Sequence, residues 1–191
     1  MYPLKFNPIL KSMIWGGEKM HQYKAIDTDQ KNIGESWELS GVPGNESVVS
    51  NGEFAGRTIS ELIKEYGPAL LGRKVHETYG ENFPLLIKFL DINGKLSVQV
   101  HPDDEIAAER YDALGKPELW YVLDAKPDAK IYCGFKRDVS AQEFYDRCKN
   151  GTVEEILNVI HPKKGDTIYM APGTVHSADG GIMVVEIQES S

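Results

Sequence analysis

Two periodicities divide the chain. Over Lys95–His101 apolar and polar residues alternate: Leu96, Val98 and Val100 fall on one side, Lys95, Ser97, Gln99 and His101 on the other. That is the period of an extended strand. Ile33–Ser40 behaves likewise, with Trp37 and Leu39 alternating with Glu38 and Ser40. Glu118–Asp124, Lys130–Phe135, Asp166–Met170, Val175–Ala178 and Ile182–Gln188 read as further strands, separated by Gly, Pro and Asp turns. Near the N-terminus, Tyr2–Asn7 and Ile9–Trp15 are predicted strands split by Pro8, and Trp15-Gly16-Gly17 a turn. Pro84–Ile92 is an apolar run with Lys88 embedded in it, predicting a buried strand. Asn93-Gly94 then predicts a hairpin that makes this strand and the Lys95 strand antiparallel neighbours.

Helical spacing is confined to a few places. Thr58 and Glu61 form a capping box ahead of Ile59, Leu62 and Ile63, predicting a helix over Thr58–Tyr66 with one more turn at Pro68–Leu71. Lys74–Asn82 is polar and predicts a loop, with His76 on the surface. Pro102 opens a short helix, Asp103–Tyr111, whose first-turn acids suit the helix dipole better than a ligand role. Ser140 with Glu143, and Thr152 with Glu155, predict helices over Ala141–Lys149 and Val153–Val159. Many short strands with helices gathered at about 58–71 and 140–159 predict one mainly β domain over 1–191. It is a barrel or sandwich with helical insertions, not an alternating α/β sheet.

Composition narrows the partners. The net charge is -8 without a basic block, which argues against nucleic acid or an anionic membrane but leaves an anionic small molecule open. Cys133 and Cys148 form no CxxC pair and are expected as free thiols in a reducing compartment. Met1–Phe6 lacks the build of a secretory signal, and no apolar run is long enough to span a bilayer, so a cytoplasmic protein is expected.

The polar side of the Lys95 strand carries the candidate chemistry. Gln99 and His101 leave one face, Glu118 heads another predicted strand, and His176 follows the turn Ala171-Pro172-Gly173. One amide oxygen, two imidazoles and a carboxylate suit a divalent metal such as zinc. His101 alone fits a hydrogen-bond network equally well. The sequence has no GxGxxG or GxxxxGK[ST] loop, but Ser97 and a lysine could still hold a phosphate, with Lys116, two residues before Glu118, the best placed. Lys88 either snorkels to an edge or points into a polar cavity. Trp15 reads first as a rim or core aromatic. A metal site of this kind polarises carbonyls or stabilises an enediolate, which suits isomerisation, hydrolysis or oxygenation.

The motifs Trp15-Gly16-Gly17, Gly34-Glu35-Ser36-Trp37, Phe83–Lys88, Leu96–Asp104, Gly115–Tyr121 and Pro172–His176 together resemble the type I phosphomannose isomerases of the short bacterial kind. The resemblance implies a cupin (jelly-roll) domain holding one zinc on Gln99, His101, Glu118 and His176. Ser97, Lys116 and Trp15 would touch the substrate, and Lys116 and Lys88 would be catalytic. The implied reaction interconverts mannose 6-phosphate and fructose 6-phosphate through a cis-enediol. In that family the chain continues past the Glu186-Ile187-Gln188 strand to an arginine and a second cupin domain; this sequence stops at Ser191. Two consequences are expected: a zinc-binding cupin that holds sugar phosphate without turnover as the alternative function, and self-association into a homodimer through an open edge.

Overall fold

The computed structural model of the chain describes residues 2–190. Among the described residues nine strands form two antiparallel sheets. The larger has the order β1 (Ile9–Gly17), β2 (Ile33–Ser40), β3 (Leu85–Ile92), β9 (Ile182–Glu189), β4 (Glu118–Ala125), β7 (Thr167–Met170). The smaller has β6 (Leu157–Ile160), β5 (Lys130–Phe135), β8 (His176–Asp179). This is the mainly β architecture expected from the strand pattern, in the two-sheet form that the resemblance to jelly-roll proteins implies.

Strict alternation along the strands decides which face of the large sheet is the core. Leu90 and Ile92 of β3, Val184 and Ile182 of β9, Trp120 and Val122 of β4, and Ile168 and Met170 of β7 all point inward. They meet Ile131 and Ala178 from the small sheet, and Leu96 closes one side. Such a register is pinned, because a slip by one residue would turn every apolar side chain outward. The opposite face is covered only in part. α1 (Lys19–Lys24) lays Met20 against Ile33 and Met183, with Phe89 and Leu123 packed beside them.

Helices α2 (Ile59–Tyr66), α3 (Pro68–Leu71) and α4 (Arg73–Tyr79) follow one another between β2 and β3. α2 opens on the expected capping box, with Thr58 accepting from the Glu61 amide and Glu61 from the Thr58 amide. α5 (Asp104–Tyr111) is capped by Asp103, which accepts from the Ile106 amide. α6 (Ala141–Lys149) is capped by Ser140. Among the described residues no helix is long and apolar enough to cross a membrane.

Several expectations are corrected. Residues 74–82 are not simply loop: they contain most of α4, and His76 is half-buried, its Nε2 close against Gly67. Val153–Ile156 is a single 3-10 turn and Leu157–Ile160 is strand β6, so no second helix exists there. Thr152 has no extended backbone and makes no capping bond, which removes the helix signal's physical basis. Trp15-Gly16-Gly17 lies within β1, and of Tyr2–Asn7 only Phe6 makes a bridge, to Val49. The Asn93-Gly94 turn is real in position but does not make a hairpin: both amides donate to the Trp15 carbonyl. Residues 95–101 instead run extended beside β8, with Leu96 N–H donating to Ala178 O and Gln99 bridged to His176.

Candidate metal centre and the cavity around it

Sheet register assembles the site. Glu118 stands opposite Gln188 and Met170, and Trp120 stands opposite Glu186. Glu186 stands opposite Lys88, which in turn faces Trp37. The inner face of the large sheet therefore carries a polar row across four strands, next to the apolar core rows. His101 and His176 arrive from the other side. Gln99 and His176 exchange main-chain hydrogen bonds at 3.0 and 2.9 Å, which fixes the Gln99–His101 stretch against the start of β8.

His101, Glu118 and His176 bring one potential ligand atom each to within 4.8 Å of the others. Glu118 Oε1 is 3.1 Å from His101 Nε2 and 3.1 Å from Lys116 Nζ. Glu118 Oε2 accepts from the Trp120 indole at 3.1 Å and faces His176 Nε2 at 3.4 Å. Burial pushes the Glu118 carboxyl up, but the His101 imidazole and the Lys116 charge outweigh it and hold the group well below the usual carboxylate range. The carboxylate is thus ionised although only 1% of its side chain is exposed.

The donor set fits a cation on one observation in particular. His176 Nδ1 contacts the Thr174 carbonyl at 2.9 Å. A carbonyl only accepts, so Nδ1 carries a hydrogen, and the neutral ring then has its lone pair on Nε2. That Nε2 is buried, has no hydrogen-bond partner, and is aimed at a second lone-pair bearer, the Glu118 carboxylate. Two buried acceptors facing each other are costly without a cation between them. The ring of His101, tilted 57° to that of His176 with centroids 5.0 Å apart, brings a third donor to the same point.

A cavity of about 200 Å³ opens beside this cluster. Trp15, Lys88, Ser97, Gln99, Lys116 and Glu118 all line it, together with Met13, Glu35 and Glu186. Every site residue singled out in the sequence therefore lies in the cavity wall or at the Glu118 carboxylate. Lys88 does not snorkel: its Nζ sits 3.1 Å from Glu186 Oε1 and 3.8 Å from Glu35 Oε2, with 9% of the side chain exposed. Burial works against its charge, but the two carboxylates outweigh it and raise the ammonium above its ordinary value. β1 is irregular between Ser12 and Gly17, and there Met13 and Trp15 contribute to the cavity wall. Gly34 makes that possible, since a Cβ there would lie 2.6 Å from Met13 Cβ and 2.8 Å from Trp15 Cζ3.

Sequence reasoning missed Glu35, Glu186, Met13, Trp37 and Trp120. A signal existed for Glu186: it occupies a core-facing position in an otherwise apolar strand, between Val184 and Gln188. A carboxylate there demands a partner. Glu35 and Trp37 had no comparable signal, because their contacts depend on which strand lies beside β2.

Comparison with known proteins points the same way. The chain is 38% identical over 190 residues to the mannose-6-phosphate isomerase ManA of Bacillus subtilis (strain 168), covering 99% of this chain and 58% of that protein. It is 37% identical over 193 residues to the mannose-6-phosphate isomerase of Streptococcus mutans serotype c, again covering 99% and 58%. The chain thus spans less than two thirds of the length of the curated relatives it matches. The crystal structure of the Bacillus subtilis mannose 6-phosphate isomerase superimposes with a TM-score of 0.90 at 34% identity, covering 100% of this chain and 59% of that one. Residues 4–138, more than half of the chain, match the family described as phosphomannose isomerase type I, catalytic domain. By sequence over most of its length and by fold over all of it, the chain belongs to the type I phosphomannose isomerase family.

Proposed function

We propose that this chain is the metal-bearing catalytic unit of an aldose–ketose isomerase that interconverts mannose 6-phosphate and fructose 6-phosphate through a cis-enediol, with zinc as its metal. The observation that carries the reading is the bare, buried His176 Nε2 facing the Glu118 carboxylate at the wall of a charged cavity. His101 Nε2, one Glu118 oxygen, His176 Nε2 and the Gln99 amide oxygen would hold the ion. A bound zinc supplies Lewis-acid polarisation of the sugar carbonyl and lowers the cost of charge at the enediol oxygens.

The chain's own residues divide the remaining work. Lys88 sits between two carboxylates and keeps its proton, so it donates to a sugar oxygen and is a poor holder of phosphate. Lys116 has one carboxylate neighbour, Glu118, and with the Ser97 hydroxyl it suits the phosphate better. Trp15 and Met13 give the cavity an apolar wall against a sugar face.

The test is a coupled assay converting mannose 6-phosphate to fructose 6-phosphate with zinc-loaded chain, with His176→Ala as the blank. The expected result is turnover above the blank, and zinc bound near one equivalent by the parent and lost in the variant. Folded, zinc-loaded chain that binds the sugar phosphate without turning it over would replace the isomerase reading with a binding domain.

A further inference from the structure

Lys88 depends on a contact that the proposed chemistry does not explain. Glu35 Oε2 is 3.8 Å from Lys88 Nζ, beyond hydrogen-bond reach, so the two interact through charge alone. That same oxygen accepts the Trp37 indole N–H at 2.6 Å. Trp37 is the direct cross-strand neighbour of Lys88 in the β2–β3 register. Its ring lies 5.8 Å from Lys88 Nζ and carries a second cation, Lys11 Nζ, at 4.1 Å. Lys11 is itself tied down, donating to Asn45 Oδ1 at 3.0 Å.

We infer that Trp37 is a positioning residue for the reaction: its indole N–H fixes Glu35, and Glu35 with the indole face holds the Lys88 ammonium at its place on the cavity wall. Trp37 is not among the cavity's lining residues, so it acts through Glu35 and Lys88 rather than on the sugar. A free Glu35 carboxylate has other rotamers, and one that swings onto Lys88 would draw the ammonium away from the sugar. The N–H denies it that freedom. Displacement of a group that hydrogen-bonds the reacting sugar oxygen lowers turnover far more than it weakens binding.

The inference rests on the isomerase reading, and its test separates the two. Trp37→Phe keeps the ring and removes the N–H; Glu35→Gln keeps the shape and removes the charge. Each is assayed for kcat and KM in zinc-loaded chain, alongside mannose 6-phosphate binding by calorimetry, zinc content and melting temperature. Trp37→Phe should lower kcat by roughly ten- to a hundred-fold, with binding and KM within about two-fold and zinc unchanged. In the Glu35→Gln background the same substitution should add little, because the two act as one unit. An unchanged kcat, a loss that appears only in KM, or losses that multiply in the double variant would overturn the positioning role. If Trp37→Phe does not fold, Glu35→Gln alone must show the kcat loss, and parent-like turnover there overturns it. Parent chain that does not convert the sugar phosphate, whether or not it binds it, would overturn the isomerase reading, and this inference with it.

Discussion

Glu118 shows how much a single residue owes to its neighbours. Its carboxylate touches an imidazole, an ammonium and an indole N–H, and faces a second imidazole. Its acidity is therefore enhanced in the folded chain, so ionisation favours folding. The stabilisation is complete at neutral pH, begins to drain once the pH falls below the ordinary carboxylate value of 4.5, and is lost as the pH falls through the folded value. In metal-free protein, urea midpoints should fall as the pH is lowered below 4.5 more steeply for the parent than for Glu118→Gln. Parallel curves would mean that the neighbours do not stabilise the charge. The candidate ligand types were legible in the sequence, since few residues suit a divalent metal; spacing paired only Gln99 with His101, and the family resemblance supplied the set of four. Their electrostatic support was not. Trp120 reads as plain core from its position, and only the register reveals that its N–H is spent on Glu118.

Elements were legible where local chemistry and tertiary packing agree. α2 is the clearest case: its capping box is made in both directions, and Ile59, Leu62 and Ile63 are buried on one face. Thr58→Ala should cost about 1 kcal/mol, read as a lower urea midpoint with the slope unchanged; no loss would show that the box is redundant. α4 was illegible because it has no buried residue and no apolar stripe, so its sequence carries no period to read. Residues 153–160 misled in the opposite sense. They pair a capping-box spelling with Leu157, which is buried in a cluster with Tyr132 and Val175, and that packing draws the chain into β6 after one turn. The Asn93-Gly94 turn failed as a hairpin signal for a similar reason. β3 already has β2 and β9 on its two sides, so no edge is left for residues 95–101.

At the scale of the molecule, the two faces of the large sheet are in different circumstances. The inner face holds the core and the polar row. The outer face, beyond the reach of α1, leaves Tyr121, Tyr169 and Ile187 between 37% and 60% exposed. Tyr169→Lys should therefore change stability by no more than about 0.5 kcal/mol, whereas Trp120→Ala, fully buried one strand over, should cost roughly 3–5 kcal/mol. Equal costs, measured by chemical denaturation, would mean that the outer face is covered in solution. The alternation that separates the faces was legible; the strand order was not, because beyond β1, β2 and β3 the strands adjacent in the sheet are not consecutive in the chain. β9 is the extreme case. It is the last of the described strands, yet it is hydrogen-bonded between β3 and β4, which make no pairing with each other. On a ribosome, Lys88 and Glu118 would both emerge long before the strand that joins them. Until Ile182–Glu189 follows, the two halves of the large sheet have no shared ladder. The cavity thus cannot close before β9 is made, and a nascent chain halted before Ile182 could display every proposed ligand without yet possessing the site.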